Sequence, residues 1–335
     1  MIPAIFGLSG LTLTDDERAF FRDSEPAGYI LFGRNIENRE QLRRLTDDLR
    51  SLDGRTNLPI LIDQEGGRVA RMKAPEWPDF PSGAAFDALY ERAPASAIEA
   101  ARLNAMALAS MLSEVGITVD CLPLLDVRQP GASDVIGDRA LGSEPMRVAA
   151  LGRAILSGLQ DGGVVGVVKH IPGHGRAMLD THEALPTVTA SDHDLQSDLA
   201  PFAALRDAAM AMTCHVIFDV WDAERPATLS PVVIDSIIRQ RVGFHGLLMT
   251  DDLDMKALSG DVPSRAADAI AAGCDIALNC WAKMDDMIGI AKALDPISTL
   301  SLARLEGAMD RIVGDSDPRQ FAVLVDQRDA LLALT

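Results

Sequence analysis

The chain is expected to fold as one α/β domain, a single-domain (β/α)8 TIM-type barrel over residues 1–335 with a helical tail after about residue 316. Two observations carry that expectation. Eight short apolar runs recur along the 335 residues, separated by longer amphipathic stretches, the alternation of a strand–helix repeat. The runs are nearly continuous in Val, Ile, Leu and Met, as parallel strands buried on both faces require. A doubly wound sheet also alternates, but eight units and no early G-x-G-x-x-G after a strand rank it second.

Taken in order, the predicted strands are Ala4–Leu8, Gly28–Phe32, Leu58–Asp63, Ile117–Leu125, Val164–His170, Ala211–Ile217, Gly246–Thr250 and Cys274–Asn279. Between them, Arg39–Leu52 sets leucines at helical spacing. Pro94–Val115 is Ala-rich and ends at Gly116, a good C-cap. Met146–Asp161 ends at a Gly pair, and Asp192–Ala209 follows the same design. Ser230–Val242 opens with Ser at the N-cap and Pro at N1. Arg265–Ala272 precedes Gly273 and the last strand. The Pro-rich stretch Ala74–Ala85 reads as a long loop after the third strand.

Composition narrows the function. There are 49 acidic and 31 basic side chains, for a net charge of −18. A nucleic-acid partner needs a basic footprint, and an anionic membrane would repel this chain; neither is expected. The four cysteines form no C-x-x-C pair and read as small buried residues. The first residues lack a basic region and a long apolar stretch, and no run approaches a membrane span. A cytoplasmic monomer acting on a small molecule is expected.

Chemistry gathers at the C-terminal ends of the predicted strands, where barrels of this kind place their sites. Strand three ends in Asp63-Gln64-Glu65-Gly66-Gly67-Arg68, strand four in Asp126 and strand five in Lys169-His170. Strand six carries His215, strand seven ends in Asp251-Asp252 and strand eight in Asn279. Three of the six histidines lie between His170 and His182. Three readings of that segment compete: a metal site of His170, His174, Asp180 and His182; an acid/base loop in which Asp180 orients His182; and structural capping of a loop. The acid/base reading is favoured. Asp251, nearer its strand, is read as a rigidly held nucleophile, and Asp252 as the N-cap of a helix over Leu253–Leu258. Arg68, Arg71 and Arg139 have the fork geometry for hydroxyl or carboxylate pairs, though Arg68, close to Glu65, reads as part of a salt-bridge network. Lys169 reads as charged and hydrogen-bonding, not as a Schiff-base lysine. Trp77, Phe80 and Trp221 are read mainly as packing residues, with a sugar-lining role as the lesser alternative.

These motifs resemble glycoside hydrolase family 3, in its bacterial β-N-acetylhexosaminidase branch of the NagZ type. The resemblance rests on ILFGRN (Ile30–Asn35), IDQEGGRVARM (Ile62–Met72), IGDRALG (Ile136–Gly142), KHIPGHG (Lys169–Gly175), DTH (Asp180–His182) and MTDDLDM (Met249–Met255). It implies a retaining mechanism with Asp251 as nucleophile, His182 as acid/base and Asp180 as its dyad partner. It also implies that Asp63, Arg71, Arg139, Lys169 and His170 hold the sugar, with no metal and no cofactor. The implied substrate is a muropeptide-type sugar, GlcNAc on 1,6-anhydro-MurNAc with or without peptide, from cytoplasmic cell-wall turnover. A histidine departs from the usual second carboxylate of retaining glycosidases, but an imidazole gives and takes a proton near neutrality. Two positions depart from the family pattern: Arg176 follows KHIPGHG where an acidic residue is common, and Cys214 precedes His215 where alanine is usual. The competing functions are a β-glycoside phosphorylase of the same family, a metal-dependent barrel hydrolase and a catalytically silent sugar-binding protein.

Overall fold

The computed structural model describes residues 1–181, 184–312 and 320–334. Ten strands are found among them: β1 (Ile2–Gly7), β2 (Pro26–Leu31), β3 (Ile60–Ile62), β4 (Val119–Asp120), β5 (Val165–Ile171), β6 (Thr187–Val188), β7 (Met210–Thr213), β8 (Ile217–Phe218), β9 (Leu247–Met249) and β10 (Ala277–Asn279). Eight form one parallel sheet in the order β10-β1-β2-β3-β4-β5-β7-β9. A parallel bridge between Met249 and Ile276 joins its two ends, so the sheet closes as the expected (β/α)8 barrel. β6 and β8 form a separate parallel pair beside it. All eight expected strands are present, each overlapping its predicted run and mostly shorter than it.

Closure explains the continuous apolar runs. Alternate residues of each strand point to opposite faces, and both faces are covered. Ile5, Ile30, Leu61, Val167, Met212, Met249 and Leu278 fill the barrel interior. Their neighbours Phe6, Tyr29, Ile62, Val168, Ala211, Leu248 and Ala277 pack outward against the helices. Leu305, Ala308 and Met309, on the helix Thr299–Met309, join the inner cluster. They lie with Met1, Ala27 and Ala209, at the N-terminal ends of strands, so that end of the barrel is plugged. Open space remains at the other end, as barrel enzymes require.

The helices follow the sequence with local differences. The predicted 39–52, 94–115 and 146–161 helices appear as Arg39–Asp53, Pro94–Glu114 and Pro145–Asp161, and Gly116 after the second adopts φ 79°. Ser230 Oγ accepts from Val233 N at 3.1 Å, as a cap should, ahead of the wide helix Val233–Val242. The predicted 192–209 helix is shorter, Gln196–Ala204. Its expected first turn is instead a local turn in which Ser191 Oγ donates to Asp194 Oδ2 at 2.6 Å, a hydroxyl competing with helix geometry. No helix forms over 253–258; helical structure resumes at Val262–Ala272, N-capped by Asp261. The C-terminal helix Phe321–Leu332 docks on the outer layer. There the Arg328 guanidinium donates to Asn104 Oδ1 at 3.0 Å and stacks 5.3 Å above Phe80. Among the described residues, no helix is long and apolar enough to cross a membrane.

Candidate active site

At the C-terminal mouth lies a cavity of about 600 Å³. Asp63, Arg71, Arg139, Lys169, His170, Asp180 and Asp251 all line it, so one cleft gathers seven of the eight residues expected to act on substrate. The eighth, His182, lies outside the described residues. Glu65, His174 and Asp252 share the same wall.

The arrangement starts from β5. Lys169 and His170 are adjacent in a strand, where side chains should point to opposite faces. The register of β5 on β7 shifts between Lys169 and Ile171, an irregularity that re-aims side chains, and both residues face the cavity. Lys169 Nζ lies 3.0 Å from Asp63 Oδ1 and 2.7 Å from Glu65 Oε1, with its side chain 2% exposed. Arg71 Nη2 meets Asp63 Oδ2 at 3.1 Å. Arg139 grips Glu65 with both prongs of its fork, at 2.8 and 2.7 Å. Three cations thus bracket two carboxylates. Burial alone pushes both carboxyls up, but Lys169 with Arg71 pulls Asp63 well below its ordinary range, and Lys169 with Arg139 lowers Glu65. Burial disfavours the Lys169 ammonium, yet Glu65 and Asp63 outweigh it and raise its pKa. Lys169 is therefore a charged hydrogen-bond donor, not a neutral amine poised for imine chemistry.

A second group orients the imidazoles. Asp126, buried after β4, takes His170 Nδ1 at 2.7 Å and the His174 backbone N–H at 2.7 Å. Burial raises the Asp126 carboxyl, but His170 and His174 bring it down to about 2. The Asp126 bond occupies His170 Nδ1 and leaves Nε2 for the cavity. His174 is also buried, and among the described residues its Nδ1 has no partner. Burial depresses its pKa from 6.5 to about 4, against the pull of Asp126. A histidine that stays neutral when folded binds its proton later than the unfolded chain does. Stability is then fully present above pH 6.5 and declines as pH falls towards 4. Between pH 7 and pH 5 this contribution should fall by about 2 kcal/mol. Urea denaturation of wild type and His174→Gln at both pH values measures it, and equal pH dependence in the two proteins would refute it.

Asp251 follows β9, with Oδ1 accepting from Asp252 N at 2.8 Å. The backbone beyond it is fixed from below: the buried His215 Nε2 donates to the Asp252 carbonyl at 2.9 Å. Asp252 does not cap a helix as expected. Its Oδ1 accepts from Asp254 N at 3.1 Å and, across to the last strand, from Cys280 N at 3.2 Å. Asp254 Oδ2 similarly takes Asn279 Nδ2 at 2.6 Å. These bonds to β10 hold the segment as turns instead of a helix. Burial, then Asp254 and Asp251, push the Asp252 carboxyl up to about 7.

Other expectations resolve here. Arg68 pairs with Asp138 at 2.8 Å and with the carbonyls of Asp134 and Val135; it is a network residue, but its partner is not Glu65. Trp77 and Phe80 are buried in the outer layer, and Trp221 Nε1 donates to Asp192 at 2.7 Å; none lines the cavity. Arg176 reaches Asp198 Oδ2 at 2.7 Å and Ser197 Oγ at 3.1 Å, tying the histidine loop to the helix Gln196–Ala204. Glu65 and Asp126 were visible at strand ends, but neither had an assigned role. Each is defined by a partner more than forty positions away. Among the described residues, no group of three or more His, Cys, Asp or Glu side chains is placed to hold a metal ion.

A closed barrel whose open end gathers carboxylates, imidazoles and guanidinium forks has the parts of a glycoside-cleaving enzyme. The comparisons define that class. Residues 7–314 match the family described as glycosyl hydrolase family 3 N terminal domain. A β-hexosaminidase of Alkalilimnicola ehrlichii is 37% identical over 313 residues, covering 91% of this chain and 88% of its own. One from Thioalkalivibrio sulfidiphilus is 36% identical over 332 residues, covering 96% and 94%. NagZ from Neisseria gonorrhoeae, in complex with N-trifluoroacetyl-D-glucosamine, superposes with a TM-score of 0.89 at 31% identity, covering 99% of this chain and 97% of that one. The chain belongs to glycoside hydrolase family 3, and it is a hydrolase of the β-hexosaminidase type.

Proposed function

We propose that this enzyme is a retaining, exo-acting β-N-acetylglucosaminidase that removes terminal GlcNAc from cytoplasmic peptidoglycan-turnover fragments, GlcNAc-1,6-anhydro-MurNAc with or without peptide. The observation that carries the reading is the delivery of Asp251 into the same cleft as the Asp63–Lys169–Arg71 cluster, His170 and Asp180. In the first step the Asp251 carboxylate attacks the anomeric carbon as the glycosidic bond breaks. The imidazolium of His182, oriented by Asp180, gives its proton to the leaving oxygen. In the second step the neutral His182 takes a proton from water, the water oxygen attacks the anomeric carbon, and Asp251 is released. Asp63 accepts from sugar hydroxyls, Lys169, Arg71 and Arg139 donate to them, and the free His170 nitrogen offers a further acceptor. Such contacts strengthen as charge develops at the ring. The relatives' names support a hexosamine in that position, and the N-trifluoroacetyl-D-glucosamine bound by NagZ supports an N-acylated one.

The test compares turnover of nitrophenyl β-N-acetylglucosaminide with that of the matching β-glucoside, each with and without phosphate and EDTA. Strong preference for the N-acetyl sugar, indifferent to both additives, is the expected result. Equal or reversed preference would move the chain to another branch of the family. A sugar 1-phosphate product would make it a phosphorylase, and loss of activity with EDTA would overturn the metal-free mechanism.

A further inference from the structure

Beyond the cavity, β10 runs directly into an exposed aromatic. Cys280 lines the cavity, and Trp281 follows it with 62% of its surface exposed. A single exposed apolar side chain is ordinary on a protein surface; what sets this indole apart is that it is hydrogen-bonded in place beside a cleft residue. The residue is held at two points, one on the ring and one on the backbone. Its Nε1 donates to Asp252 Oδ2 at 3.2 Å, and its backbone N–H donates to Asp254 Oδ2 at 3.3 Å. Trp281 does not itself line the cavity, but Asp252 does, beside Asp251, so its bond to the indole Nε1 holds the ring just outside the cavity wall that carries the reactive carboxylate. The chain then turns sharply at Ala282, whose φ of 56° lies in the left-handed region that alanine rarely adopts. Lys283 Nζ stands 5.9 Å from the ring centroid, and most of the ring remains open.

We infer that Trp281 is the platform for the leaving sugar, and so a specificity-determining residue for a pyranose aglycone. The inference rests on the reading of the cleft as a β-N-acetylglucosaminidase site. When the terminal sugar sits against Asp251, the ring linked to it has to leave through the mouth, where the indole is fixed. A β-linked pyranose with equatorial substituents carries axial C–H groups on each face. These form an apolar patch that matches the electron-rich face of an indole. Since Asp252 already orients the ring, little side-chain freedom is lost on binding.

The experiment compares wild type with variants on two substrates with unactivated alcohol leaving groups, N,N′-diacetylchitobiose and methyl β-N-acetylglucosaminide. The first presents a pyranose to the rim and the second does not. In Trp281→Ala, kcat/KM for the disaccharide is expected to fall about tenfold, equivalent to about 1.4 kcal/mol, mainly through KM. The methyl glycoside should change less than twofold. Trp281→Phe keeps a ring but loses the bond to Asp252, and should retain most of the disaccharide activity. Equal loss on both substrates would show that Trp281 acts only by propping Asp252, and no loss on either would remove the platform; either result overturns the inference while the enzyme's reading stands. A wild-type enzyme inactive on both glycosides would overturn the functional reading and this inference with it.

Discussion

Replacing Asp251 with alanine should lower kcat/KM by about 10⁴-fold or more, while the barrel stays folded. The two halves of that expectation come from different observations. The catalytic half follows from the proposed role: without the carboxylate no covalent intermediate forms, and His182 has no partner for the two-step reaction. The structural half follows from how lightly Asp251 is used. Its Oδ1 accepts from the backbone N–H of Asp252 at 2.8 Å, a bond worth about 1 kcal/mol net. The Asp252 carbonyl is separately held by His215, so the turn should survive. Added azide gives a sharper readout, because a small anion in the vacated space should form the α-glycosyl azide. Residual turnover above a tenth of wild type, on a folded variant, would place the nucleophile elsewhere.

Lys169→Met should damage both stability and binding. The ammonium is 2% exposed and sits between Asp63 and Glu65, at 3.0 and 2.7 Å. Charge-assisted bonds to buried carboxylates are the strong kind. Removing both should cost about 3 kcal/mol, less whatever the methionine recovers by burying no charge. Loss of one partner does not leave the carboxylates bare, since Arg71 still meets Asp63 and Arg139 still grips Glu65. That is why folding should survive, with a lowered melting temperature. At the same time the sugar loses a donor, so KM should rise and kcat fall. A variant with wild-type melting temperature would show that the two arginines carry the cluster alone. A normal KM on a destabilised variant would remove Lys169 from the sugar contacts and leave it a structural role.

Much of this molecule is legible along the chain. Eight continuous apolar runs are the signature of strands covered on both faces, and the polar residues closing those runs lie at one end once the strands are parallel. Asp63, Lys169, His170 and Asp251 are therefore found without coordinates, because each sits at a strand's end. The same reading misjudged the stretch after Asp252. It treated 253–258 as helix from local pattern, whereas Asp252 and Asp254 are held by Cys280, Asn279 and Trp281 of the neighbouring strand end.

The aromatics divide in the same way. The sequence singles out Trp77 and passes over Trp281, yet the first is buried in the helical layer and the second stands exposed, bonded to a cleft residue. Local spacing reports which residues share a strand or a helix face, since those periods are set by the backbone. It does not report pairs that meet only when the barrel closes. The grip of Arg139 on Glu65, the hold of Asp126 on His170, and the anchoring of Trp281 to Asp252 all join different strand ends. The sequence by itself determined the barrel and which strand ends carry chemistry. Closure of the sheet decided which of those side chains meet, and so which are charged, which are neutral and which stay open to a ligand.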